Sequence, residues 1–132
     1  MSDQREFPGT PRAVTAARRF AVGALAGTRA GRSPDVVEAV ALVVSELASN
    51  SVRHAQTPFR VRIDTSRTAV RVEVSDGGGG TPSRRAPSPR ATSGRGLQLV
   101  ESFADEWGVV ANPTGTGKTV WFRITLPERV PS

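Results

Sequence analysis

Glu46 and Asn50 stand four residues apart, a spacing that makes two side chains neighbours on one helix surface. At about 100° per residue they fall on the flank of the stripe Val36, Val40, Val44, Leu47 and Ser51, at the border of a core where a cleft could open. An Asn carbonyl oxygen is a hard ligand suited to Mg2+, which takes one or two protein oxygens beside phosphate and water. A carboxylate one turn away could orient or deprotonate an attacking hydroxyl. The same pair also reads as a solvated Glu and a surface Asn. A second group, Asp76-Gly-Gly78-Gly-Gly80, follows the apolar run Val70, Val72, Val74. A carboxylate at a strand end can accept the exocyclic amine of adenine, and glycines let a flat ligand come close. Asp-Gly is equally good as a plain turn. A third, Gly94-Arg95-Gly96-Leu97, lies just ahead of a helical pattern. Backbone N–H groups and a helix dipole favour phosphate there, and Arg84, Arg85 and Arg90 add positive charge; otherwise it is a helix start behind a solvated basic loop.

Two further patterns mislead. Asn112–Thr119, NPTGTGKT, comes close to the phosphate-loop signature, but Asn112 replaces its first Gly and the run leads into a strand pattern, not a helix. No dinucleotide-binding glycine signature is complete, because Leu99 and Ser83 stand where its last Gly belongs. Counts exclude other chemistry. The chain has no Cys, which removes thiolate catalysis, disulfides and thiolate metal sites, and one His, His54, which removes a multi-histidine metal site. His54 lies one turn past Asn50 and suits the dipole at a helix end. Eighteen Lys and Arg against 12 Asp and Glu leave a charge of +6, which invites a polyanion, either nucleic acid or a phosphorylated ligand. Lys118 is the only lysine.

These residues need elements to hold them. At 132 residues the chain has room for one domain with its own core. It holds no apolar run long enough for a membrane span and no signal-peptide pattern, so the expected compartment is the cytoplasm. Residues 1–9 read as a loose lead-in, 10–126 as the domain and 127–132 as a frayed tail. Thr10-Pro11 caps a helix over about 11–28, with Val14, Ala17, Ala21 and Leu25 on one face and Gly31 as its stop. Ser33-Pro34-Asp35 starts the strongest helix, which runs to about His54 before Pro58. Phe59, Val61 and Ile63, then Val70, Val72 and Val74, alternate with polar residues as a hairpin turning at 65–68. The stretch 76–96 is too long for an ordinary connection. A short helix near 96–104 turns Leu97, Val100 and Phe103 inward; strands follow at 107–111 and 120–126. One-sided alternation predicts a sheet covered on a single face.

The order and spacing of these groups resemble the histidine-kinase-like (GHKL) ATP-binding superfamily. Glu46-Leu-Ala-Ser-Asn50-Ser-Val-Arg-His54-Ala is similar to its N box and Asp76-Gly-Gly78-Gly-Gly80 to its D-x-G-x-G box. Gly94-Arg-Gly96-Leu97 is similar to the second glycine box, and Gly117-Lys-Thr119-Val-Trp-Phe to the closing strand. The resemblance runs from about Pro8 to Leu126 and is nearest to small stand-alone members, the anti-sigma-factor serine/threonine kinases and related ATP-binding regulators of actinobacteria. It implies an α+β, two-layer sandwich of the Bergerat type, with helices on one face of a mixed, mostly antiparallel sheet. It implies ATP and Mg2+ as cofactors. Asn50 would hold the metal and Glu46 would act as general base. Asp76 would accept the adenine amine, with Gly78 and Gly80 making room and Thr119 beside Asp76. Gly94, Arg95, Gly96 and Leu97, with Arg85 from a lid at 81–93, would serve the phosphates.

By the same resemblance the partners are a sigma factor, an anti-anti-sigma (STAS-type) protein, or both, and a homodimer is an expectation. The chain lacks the phosphoacceptor-histidine module of a sensor kinase, so any acceptor is expected on another protein, and the resemblance implies a Ser or Thr of the STAS-type partner. Two other functions fit the residues: an ATP-gated binding module without catalysis, and a basic nucleic-acid binder. The latter lacks stacking aromatics, with Phe, Trp and Tyr at 5%.

Overall fold

A computed structural model describes residues 1–55, 57–77, 98, 100–113 and 116–127. Five strands, β1 (Ser2–Phe7), β2 (Phe59–Thr65), β3 (Ala69–Asp76), β4 (Glu106–Ala111) and β5 (Lys118–Thr125), form one sheet in the order β1-β2-β3-β5-β4. All four pairings are antiparallel, so the expected mixed character is absent among the described strands. The first difference from the sequence reading is β1. Residues 1–9 lack a strong alternation, yet Ser2–Phe7 pairs along the whole of β2, from Ser2 opposite Asp64 to Phe7 opposite Phe59. Backbone pairing and one inward ring suffice: Phe7 stacks on Phe59 with centroids 5.4 Å apart.

Helix α1 (Pro11–Leu25) follows Thr10, whose side chain makes no capping bond. It ends three residues earlier than the spacing predicts. Gly27 takes a left-handed φ of 82°, a conformation that stops a helix. Helix α2 (Pro34–Asn50) starts as predicted, with the Ser33 hydroxyl accepting the Val36 N–H at 3.4 Å. Beyond Asn50 the winding widens into a π-helical turn, Ser51–Ala55. The two helices pack on each other, α1 against β1 and β2, and α2 against β3. Between the layers lies one core, built from Ala17, Ala21, Leu25, Val40 and Val44 on the helices and Val61, Ile63, Val70, Val72 and Phe122 on the strands.

The register decides which strand residues meet. Val61 faces Val74, and Val72 and Val74 face Phe122 and Val120. The intervening residues, Arg60, Arg62, Arg71, Glu73, Trp121 and Arg123, therefore line the face away from the helices. There the Arg71 guanidinium lies 4.9 Å from the Trp121 ring centroid. At Gly108 an added Cβ would meet the Trp121 indole nitrogen at 2.8 Å, so the indole packs over a bare patch of β4. The hairpin between β2 and β3 closes on Ser66, whose hydroxyl accepts the N–H of Thr68 and Ala69. Residues 98 and 100–103 are helical, with Val100 fully buried, but Phe103 is 41% exposed rather than inward. It lies at the last helical residue before the chain turns into β4, too late to reach the core.

Two outcomes follow. Phe59 is 1% exposed and joins β1 to β3, so Phe59→Ala is expected to cost about 3–5 kcal/mol in denaturant unfolding. Asp105 accepts the backbone N–H and the hydroxyl of Thr125 and lies near Arg123, which together hold its carboxyl below the ordinary 3.8. A depressed folded-state value stabilises above the unfolded value and loses that contribution as pH falls through the folded one. The Tm advantage of the parent over Asp105→Asn is therefore expected at neutral pH and to vanish on acidification below the usual carboxylate range.

Candidate functional site

Among the described residues only four polar side chains are buried: Ser33, Asn50, Ser51 and Asp76. Ser33 caps α2, and Ser51 spends its hydroxyl on the Leu47 carbonyl at 3.1 Å. Asn50 and Asp76 remain, and both are residues that the sequence singles out for chemistry. The chain ties them to the same end of the two layers. From Asn50 it passes through the π-helical turn to Thr57, whose hydroxyl accepts the Gly77 N–H at 3.1 Å, and then to Phe59, the register partner of Asp76. The change of helical winding between Asn50 and β2 is of a kind that frequently marks functional positions.

Asn50 is 8% exposed at the last residue of α2. Its Oδ1 accepts from Arg53 Nη2 at 3.0 Å, a bond that presents the carbonyl oxygen at the helix end with a cation already on it. Glu46, one turn back, is half-buried on the same helix. His54 is exposed within the π-helical turn.

Asp76 ends β3 with a side chain 5% exposed. Its carboxylate is bound twice by one residue: the Lys118 backbone N–H reaches Oδ1 at 3.3 Å and Lys118 Nζ reaches Oδ2 at 3.1 Å. Its backbone carbonyl accepts Asn112 Nδ2 at 2.7 Å. Gly117 packs into this junction with φ 76°, and a Cβ on it would stand 2.0 Å from the Asp76 carbonyl oxygen. Only glycine tolerates both that φ and that approach.

Here the structure corrects one expectation. Thr119 does not turn toward the Asp76 carboxylate. It pairs with Ser75, so its side chain lies on the sheet face away from the helices, where its hydroxyl meets Ser75 Oγ and donates to Asn112 Oδ1, each at 2.7 Å. Side chains alternate along β5, so the residue in phase with Val120 and Phe122, and hence beside Asp76, is Lys118. Reading the alternation of 120–126 two residues further back would have found it. Asn112 was also missed. The sequence reads it as the start of a turn over 112–117 and as the residue that spoils a phosphate-loop signature, with no sign of its side-chain role. In the fold it joins the carbonyls of Asp76 and Thr116 to the Thr119 hydroxyl. The phosphate-loop likeness itself dissolves, since Lys118 and Thr119 open β5.

Gly78, Gly80, Arg85, Gly94, Arg95, Gly96 and Leu97, with the expected lid at 81–93, lie outside the described residues. What is described fits a magnesium nucleotide by the chemistry of its donors. Among the described residues no group of three or more His, Asp or Glu side chains could cage an ion alone. One carboxamide oxygen of a buried Asn, with a carboxylate one turn back on the same helix, suits a cation that arrives with phosphate oxygens. A carboxylate has about four lone-pair sites, and Lys118 fills two on Asp76. The others can accept an amine. No helix among the described residues is long and apolar enough to cross a membrane.

Replacing Gly117 by Ala is expected to lower stability by about 2 kcal/mol or more, because the β3–β5 junction must open to admit the methyl group; chemical denaturation measures it. Comparison with curated proteins gives no match. The model of one family, described as the histidine kinase-like ATPase domain, matches residues 7–124. That match spans both helices and all the strands from β2 to Ile124 of β5, and with the buried Asn50 and Asp76 it shows that the chain belongs to the histidine kinase-like ATPase domain family.

Proposed function

We propose that this protein binds ATP with magnesium and transfers the terminal phosphate to a Ser or Thr hydroxyl of a STAS-type anti-anti-sigma protein, while also sequestering a sigma factor. The observation that carries the reading is the burial of Asn50 and Asp76 at one end of the layers, with Glu46 one turn behind Asn50. Asp76 accepts the exocyclic amine of the base. Asn50 would hold the cation through its carbonyl oxygen, in place of the bond that this oxygen accepts from Arg53. The backbone N–H groups of Gly94, Gly96 and Leu97 receive the phosphates with Arg85 and Arg95, and Thr119, on the other face of the sheet, steadies Asn112 against the Asp76 carbonyl.

Glu46 accounts for the kinase reading, because a site that only binds needs no base. In the transfer, the acceptor oxygen forms a bond to the terminal phosphorus, the bond to the bridging oxygen breaks, ADP leaves, and the acceptor proton passes to Glu46. The charge of +6 suits an acidic partner as well as a triphosphate. Cytoplasmic location and a homodimer belong to the same proposal.

The test is capture of partners with and without nucleotide, followed by phosphosite mapping and calorimetry with Mg-ATP. Asn50→Ala is expected to weaken Mg-ATP binding by tenfold or more, the scale of a hydrogen bond or ligand to a charged group. Glu46→Ala is expected to leave nucleotide affinity within about twofold while transfer falls by about 10²–10⁴. A parent protein that binds ATP and captures a partner but transfers no phosphate is an ATP-gated binding module. One that binds DNA and ignores ATP overturns both readings.

A further inference from the structure

Lys118 is the one lysine among 18 basic residues, the rest being arginine, and it stands against the buried carboxylate of Asp76. The placement is asymmetric. Asp76's side chain is 5% exposed and Lys118's is 42% exposed, so the ammonium lies on the open side of the carboxylate. The backbone holds it there. Gly117 at φ 76° locks the start of β5 against the Asp76 carbonyl, and the Lys118 N–H is itself bound to Oδ1. Residue type matters as well. A guanidinium would fork across both carboxylate oxygens, whereas an ammonium is a point donor that engages one and keeps two N–H bonds to give.

We infer that Lys118 reads the nucleobase: with Asp76 accepting the exocyclic amine, the Lys118 ammonium donates to the adjacent ring nitrogen N1 of adenine. A carboxylate beside an ammonium presents an acceptor next to a donor. The six-membered-ring edge of adenine offers the complement, a donor at the amine and an acceptor at N1. The inference rests on the nucleotide reading of Asp76 and adds a specificity-determining residue to it.

The experiment is calorimetric binding of ATP, 1-deaza-ATP (no N1 acceptor) and purine riboside triphosphate (no amine) to the full chain and to Lys118→Met. Loss of a hydrogen bond from a charged donor is worth about tenfold or more. The parent is expected to bind 1-deaza-ATP at least about tenfold more weakly than ATP, and Lys118→Met to reduce that gap to about twofold. Because the chain has one lysine, acetylation followed by peptide mass analysis gives a second readout that needs no variant: ATP is expected to protect Lys118. Equal affinity of the parent for ATP and 1-deaza-ATP overturns the inference, as does an unchanged gap in Lys118→Met or acetylation of Lys118 at the same rate with and without ATP. If purine riboside triphosphate is still bound more weakly than ATP in those cases, the Asp76 reading stands and Lys118 alone is removed from it. If no purine triphosphate binds the parent, the nucleotide reading itself falls.

Discussion

A buried carboxylate at the end of a central strand organises this molecule. An isolated charge costs several kcal/mol to bury, so Asp76 requires a cation and polar partners in fixed places. Lys118 supplies the cation, and Asn112 and Gly117 lock the carbonyl of the same residue. Those partners come from β5 and from the turn before it, about 40 residues further along the chain. They meet Asp76 only because β3 and β5 pair in one register, in which Val74 faces Val120. A slip of one residue would send Lys118 to the other face and put Thr119 against the carboxylate. The apolar core therefore sets the chemistry of the site: packing of Val72, Val74, Val120 and Phe122 specifies which side chain stands beside Asp76.

The other half of the site depends on a different device. α2 carries its apolar face into the core as far as Leu47 and Ala48, and Asn50 follows where the core gives out. The winding then changes, and a connection through Thr57 returns the chain to β2 beside the end of β3. A regular helix carried on through 51–55 would have taken a different path toward Phe59. The π-helical turn thus links the Asn50 carboxamide to the Asp76 carboxylate through few residues, with Gly9 packed so close to Thr57 that a Cβ there would lie 2.6 Å from its carbonyl oxygen.

The face of the sheet away from the helices has its own internal order. Arg62 with Asp64, Arg71 with Glu73 and Arg123 with Glu106 pair off charges that the sequence shows only as alternation. Such exposed pairs contribute little to stability each. Their effect is to neutralise much of the positive charge that β2, β3 and β5 would otherwise present, which removes a main argument for nucleic-acid binding on that face.

The order of residues alone is enough to set the local elements and the identity of the chemical groups. Apolar periodicity and capping residues found α1 and α2, strict alternation found β2, β3 and β5, and four short boxes in order pointed to the family, because these signals act within a few residues of one another. It could not find β1, whose reason for being a strand is the neighbouring edge of β2, nor that α1 would stop at Gly27, nor that Phe103 would be left outside. The resemblance put Thr119 beside Asp76; alternation gives Lys118 the inward phase, but spacing alone does not say which neighbour that face meets. That choice belongs to register, and register is set by the summed packing of two layers far apart in the chain.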